Sequence, residues 1–191
     1  MKSRLFLPLL PVLLGVLLLA GCVASHKTSD ASSTGTLRLI NLSADYPTLD
    51  LYSTDTAIVS GIASASASDY ATQTAGNVTL NLKRGGSGTT SLSMAETISA
   101  GGQYTLLAYS STSGLEALYL TDSESAPSTG YAKLRVINTA GDAGNLDVYL
   151  TDSSTQLADV SPTVAGIGGT GSYVTVGKGS YRLRVTAAND K

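Results

Sequence analysis

Apolar and polar residues alternate through most of this chain. Leu37 and Leu39, Leu49 and Leu51, Val78, Leu80 and Leu82, Leu92 and Met94, and the stretch Gln103 to Ser110 each follow a period of two, and each run is bounded by Gly, Ser, Asn or Asp. That period sends successive side chains to opposite faces of a strand, one toward a core and one toward solvent. Beyond the N-terminal segment, no window keeps the spacing of an amphipathic helix. Short strands at intervals of about ten residues predict an all-β chain built as antiparallel β-sandwich domains with Ig-like architecture, with an open barrel as the alternative.

The pattern recurs within the chain. Residues 37–55, LRLINLSADYPTLDLYSTD, align without a gap with residues 134–152, LRVINTAGDAGNLDVYLTD, at a separation of 97, and ten of nineteen positions are identical. The shared residues are Leu37, Arg38, Ile40, Asn41, Asp45, Leu49, Asp50, Tyr52, Thr54 and Asp55. Tyr70 to Leu82 aligns with Tyr173 to Val185 at a separation of 103, which predicts a six-residue insertion, placed around Ala165 to Gly171. A period this long reads as a duplicated domain rather than a solenoid array. Two tandem β domains are therefore expected at 36–122 and 131–191, joined by a polar, turn-forming linker at 123–130. After Val185 only six residues remain, whereas the first copy continues into three further strands. An incomplete sandwich exposes apolar surface and unpaired edges. The expectation is a truncated chain or, as the alternative, strands supplied by another polypeptide through β-augmentation.

The N-terminus is different in kind. Lys2 and Arg4 lead an apolar run from Leu5 to Leu19 that ends in Leu19-Ala20-Gly21-Cys22. A basic start, a short apolar segment and small residues before a cleavage point mark residues 1–21 as a secretory signal peptide. Pro8 and Pro11 interrupt the run, which argues against a regular spanning helix. The last four residues resemble the lipobox of bacterial lipoproteins. The resemblance implies lipidation of Cys22, a mature chain beginning there, and a membrane partner held through the lipid. It also implies the outer membrane of the cell envelope, because Val23 stands where an aspartate would signal retention at the inner membrane. More than one acyl chain gives stable anchoring. Residues 22–35, rich in Ser and Thr, read as a flexible linker.

Composition then removes whole chemistries. Cys22 and His26 are the sole cysteine and histidine, and His26 lies in the tether. Ser-His-Asp and Cys-His catalysis, and zinc sites built from Cys and His, have no candidates in the folded part. No cofactor and no metal is expected. Of the charged residues, ten basic and fourteen acidic remain after the signal peptide, without runs, so a nucleic-acid surface is not expected either. With no tryptophan, and with tyrosines as the mature chain's only aromatics, the core must come from Leu, Val, Ile and Ala.

The opening strand followed by Asn41-Leu-Ser-Ala-Asp45-Tyr-Pro-Thr-Leu49-Asp50-Leu-Tyr52 resembles the DUF4397 domain, and so does the segment Tyr173 to Tyr181. In that family a strand leads through a Ser-Pro-Asp-like turn into an Asp-Val-Tyr-Val strand. The resemblance implies an extracytoplasmic protein, often a lipoprotein. This chain carries Ala44 where proline is usual in the turn, and Ala140 to Gly144 lacks both serine and proline.

Asp50, Tyr52, Asp147 and Tyr149 alternate with apolar neighbours and are expected on the face away from the core. They are the candidate surface for a glycan, with the ring stacking on a sugar and the carboxylate accepting its hydroxyls. The competing expectation is a cross-strand pairing of Arg38 with Asp50 and of Arg135 with Asp147. Asp45, Asp55, Asp142 and Asp152 fall at turns and match no calcium loop. Glu96, Glu116 and Glu124 are the only glutamates, and nothing in their spacing assembles a glycosidase pair. The expectation is a non-catalytic envelope lipoprotein, a structural or protein-binding β module whose partner is an envelope protein or polysaccharide. The alternative is a surface adhesin or glycan-binding protein.

Overall fold

The computed structural model describes residues 33–122 and 124–191. The expected signal peptide at 1–21, Cys22, His26 and most of the expected 22–35 linker lie outside the described residues. What is described is all-β, apart from a single 3-10 turn at Leu157–Asp159.

Nine strands form the first region: β1 Thr34–Asn41, β2 Thr48–Ser53, β3 Thr56–Ala63, β4 Ser66–Ala67, β5 Ala71–Thr74, β6 Gly76–Arg84, β7 Thr90–Ile98, β8 Gln103–Ser111 and β9 Gly114–Thr121. One sheet runs β3-β2-β6-β7, all antiparallel. In the other, β4 and β5 share one edge of β1, and β8 and then β9 follow on its far side. Most pairs in this sandwich are antiparallel as expected, but β1 and β8 run parallel, with Thr36 opposite Gln103 and Asn41 opposite Ala108. A hairpin forces its strands antiparallel; β8 instead enters from β7 in the opposite sheet, so its direction against β1 is free of that constraint.

The alternating leucines close the core. Leu37 and Leu39 of β1, Leu49 and Leu51 of β2, Leu80 and Leu82 of β6, and Leu106 of β8 are all essentially inaccessible to water. Each is worth about 1.5–3 kcal/mol of hydrophobic burial. Tyr104, in the core, stacks on Tyr119 at 5.0 Å between centroids.

Five strands follow: β10 Tyr131–Leu134, β11 Leu146–Thr151, β12 Val164–Ile167, β13 Val174–Gly177 and β14 Arg182–Ala187. They pair as β10-β13 and as β12-β11-β14. Tyr131 opposite Gly177 repeats Thr34 opposite Thr74, and Val148 opposite Val185 repeats Leu51 opposite Leu82. Leu146 opposite Ile167 repeats Leu49 opposite Ile62, so β12 corresponds to β3 at a separation of 105. The extra residues therefore precede β12, in the 152–163 loop, and not in the Gly-rich stretch 165–171 where the alignment placed them. Alignment could not locate the gap because neither loop has a pattern to anchor it.

Candidate functional site

The residues that recur along the chain hold backbone. Asn41, fully buried at the end of β1, donates through Nδ2 to the carbonyls of Tyr46 and Ile62, both at 3.0 Å, while its Oδ1 accepts from the Ser43 amide at 3.0 Å. Asn138 repeats the arrangement: its Nδ2 donates to the carbonyls of Gly144 at 2.9 Å and Ile167 at 3.1 Å, and its Oδ1 accepts from the Ala140 amide at 3.0 Å. Each asparagine ties the turn after the first strand to a strand of the other sheet.

Asp50 and Asp147 form a second matched set. Asp50 accepts from the amides of Gly61 at 2.6 Å and Gly86 at 3.3 Å; Asp147 accepts from Gly166 at 2.7 Å and Asn189 at 2.9 Å. All four donors have positive φ, between 64° and 74°. Gly61 and Gly166 lie on strands whose register with the aspartate's strand shifts at that point, and the bulge turns their amides toward the carboxylate. The Asn189 and Gly166 amides, with the Lys191 charge behind them, hold the Asp147 carboxyl below its ordinary range.

The candidate glycan surface therefore does not assemble. Asp50 and Asp147 point away from the sandwich core as expected, yet they are 7% and 5% exposed because the bulged strand and a turn close over them. Tyr52 is half-buried, with Lys83 Nζ lying 4.2 Å from its ring centroid. Tyr149 is 1% exposed, and its hydroxyl has no hydrogen-bond partner among the described residues. Its burial follows from the 152–163 loop, which crosses this face: Arg184, opposite Tyr149, donates to Thr151 Oγ1 and the Thr155 carbonyl, and Lys191 donates to the carbonyls of Ala158 and Val160. The pairing of Arg38 with Asp50 and of Arg135 with Asp147 is also overturned. β1 and β2 lie in different sheets, so the two side chains have no shared face.

Both arginines instead meet a tyrosine and converge on Asp122. Arg38 lies over the Tyr70 ring at 4.6 Å and Arg135 over Tyr173 at 4.5 Å. Asp122 Oδ2 accepts from the hydroxyls of Tyr70, at 2.9 Å, and Thr105, while Oδ1 accepts from Arg135 at 3.0 Å. Thr105 in turn accepts from Arg38 Nε at 2.8 Å. Chiefly by burial, the Tyr70 hydroxyl is pushed above its ordinary pKa. Arg38, Thr105, Asp122, Arg135 and Tyr173 line a cleft of about 300 Å³ between β1, β8 and β9 on one side and β10 and Tyr173 on the other. Asp122 escaped the sequence reading because it begins a stretch with linker composition. The available signal was that both Arg38 and Tyr70 recur, as Arg135 and Tyr173.

Three other carboxylates, Glu116, Glu124 and Asp152, have local partners. Glu116 accepts from the hydroxyls of Ser111 at 2.5 Å and Tyr109 at 2.7 Å, which lower its pKa, and Glu124 pairs with Lys133 at 2.6 Å. Glu96, on β7, has its pKa raised by burial. Asp152 Oδ1 accepts from the hydroxyls and amides of Ser154 and Thr155, which bring its pKa down to about 2. Among the described residues, no group of three or more His, Cys, Asp and Glu side chains is placed to hold a metal ion.

A comparison with curated proteins finds no match. A family model does match, over residues 35–149, from β1 through the Asp122 cleft to Tyr149 on β11, and its description is a domain of unknown function, DUF4397. The chain belongs to the DUF4397 family.

Proposed function

We propose that this chain is a lipid-anchored protein of the bacterial cell envelope, carried on the outer membrane through Cys22, and that it acts as a non-catalytic structural or protein-binding β module. The observation that carries this reading is where the recurring polar residues spend their chemistry. Asn41 and Asn138 bridge carbonyls, Asp50 and Asp147 collect backbone amides, and Arg38 and Arg135 stack on tyrosines beside Asp122. What recurs is a scaffold, not a set of groups around a reacting atom. The matched registers support reading 36–122 and 131–191 as two copies of one domain. The glycan-binding alternative loses support because Asp50, Asp147 and Tyr149 are inside.

Two fractionations test the reading. Wild-type protein is expected in the membrane fraction and Cys22→Ser protein in the soluble fraction; a Cys22→Ser protein that stays membrane-bound would end the anchor. Soluble Cys22→Ser protein is then sedimented with peptidoglycan, with extracted polysaccharide and with protein-containing envelope fragments. Retention only by the protein-containing fragments is expected, and saturable retention by purified polysaccharide would favour the adhesin instead.

A further inference from the structure

The cleft at Asp122 carries more positive charge than its own acids balance. Arg38, Lys133 and Arg135 line it together with Asp122. Lys133 is paired with Glu124, and Arg135 with Asp122. Arg38 is left over: Nε donates to Thr105, one face covers Tyr70, and its terminal nitrogens donate to no described residue. A partly buried guanidinium with both terminal nitrogens free is a strong site for one carboxylate, which can take two parallel hydrogen bonds at once.

The rest of the wall decides what kind of carboxylate fits. Ile40, Leu107, Leu120, Leu134 and Ile137 give an aliphatic surface beside the arginine. Among the lining residues only Thr105 and Tyr173 carry a hydroxyl, and that of Thr105 already donates to Asp122. A sugar acid would find few partners for its own hydroxyls there, whereas an alkyl chain would bury apolar area. The volume, about 300 Å³, is at the small end for ligand pockets and limits the chain length.

We propose that this cleft binds an amphipathic monocarboxylate, with its carboxylate on the Arg38 guanidinium and its aliphatic body against Ile40, Leu107, Leu120, Leu134 and Ile137. The site goes beyond the scaffold reading and does not depend on it. Because the ligand touches residues from both sides of the cleft, its binding also ties β10 to the first sandwich.

The test is a methyl-detected NMR titration of the Cys22→Ser protein with octanoate, octanol and glucuronate in parallel. Octanoate is expected to shift the Leu107, Leu120 and Leu134 methyls saturably, and octanol and glucuronate to bind at least ten-fold more weakly. Arg38→Gln should weaken octanoate at least ten-fold and Arg38→Lys by less, while Lys83→Gln, outside the cleft, should change nothing. Melting curves of each variant show whether it is folded, and the three-ligand comparison on the Cys22→Ser protein decides the matter even if Arg38→Gln is not. Absence of saturable shifts, shifts confined to other methyls, octanol or glucuronate binding as tightly as octanoate, or full affinity in folded Arg38→Gln would each overturn the proposal.

Discussion

The pair β2–β6 and the pair β11–β14 share a register and differ in which side is buried. In the first, Leu80 and Leu82 face the opposite sheet and are 1% exposed. Their counterparts Leu183 and Val185 are 63% and 53% exposed, while Tyr149, on the other side of the same ribbon, is 1% exposed. Hydrophobic burial on the inner face, which in the second ribbon covers Val148 but neither Leu183 nor Val185, is therefore not enough by itself to keep the second register. The features common to both ribbons are the asparagine and aspartate contacts, which fix the strands through backbone groups whether or not the inner face is covered. Register is held by polar contacts that end at the backbone, and stability comes from a core that only the first region completes.

The largest expected difference comes from cutting the same side chain at both places. Leu80→Ala should destabilise the protein by about 3 kcal/mol, the usual range for a leucine removed from a closed core, whereas Leu183→Ala should stay within about 0.5 kcal/mol. Urea unfolding followed by circular dichroism reads both. A cost above about 1 kcal/mol for Leu183→Ala would break the comparison, because it would mean that this face is covered in solution.

Truncating the asparagines should give the next effect and tests whether they hold register. Asn41→Ala leaves two carbonyls and one amide without their partner in a fully buried site, which should cost about 2–3 kcal/mol. Asn138 is only half-buried, so water can replace it and about 1 kcal/mol is expected. Equal costs would remove burial as the difference between the two regions.

A glycine sharpens the same contrast at slightly smaller scale. At Gly35 a Cβ would come within 2.6 Å of Ile98 Cγ2 and 2.8 Å of the Ser99 carbonyl oxygen, because the β7–β8 turn presses on β1 there. Its counterpart on β10 is Ala132, which is exposed. Gly35→Ala should cost about 2 kcal/mol from overpacking, and Ala132→Gly well under 1 kcal/mol, by unfolding in urea. A neutral Gly35→Ala would show that the turn yields.

These contrasts separate what alternation can reveal from what it cannot. Leu37, Leu39, Leu80 and Leu82 were legible because a period of two assigns faces, and the all-β class followed from them. Faces do not assign sheets, so Arg38 and Asp50 looked like partners although β1 and β2 lie across the core from each other. The roles of Asp50 and Asp147 were hidden for a related reason. An aspartate on an outer face reads as solvent-facing unless the bulge that brings Gly61 or Gly166 over it can be foreseen, and a bulge depends on pairing with a second strand. Tyr149 was misread because what buries it, the 152–163 loop, has no periodic pattern. Asp122 had no signal of its own; only its partners recur.

The smallest effect probes the feature that the first region lacks, the loop over β11. Asp152 holds the start of that loop through the amides and hydroxyls of Ser154 and Thr155, and those bonds set its pKa at about 2, below the value near 3.9 typical of an unfolded chain. A depressed carboxyl contributes stability that is fully present above the unfolded value and lost as pH falls through the folded one. The loop should therefore keep its N-terminal anchor at neutral pH and release it between about pH 4 and pH 2. Amide shifts of Ser154 and Thr155, followed by NMR, should titrate together with a midpoint near 2. The Gly166 and Asn189 amides report on Asp147, whose pKa is also lowered, and should likewise move only on the acid side of the ordinary aspartate range. Asp152→Ala should abolish the first pair of transitions and leave the second. A midpoint at or above 4 for Ser154 and Thr155 would mean that the carboxylate does not hold the loop, and the burial of Tyr149 would then have to rest on Arg184 and Lys191 alone.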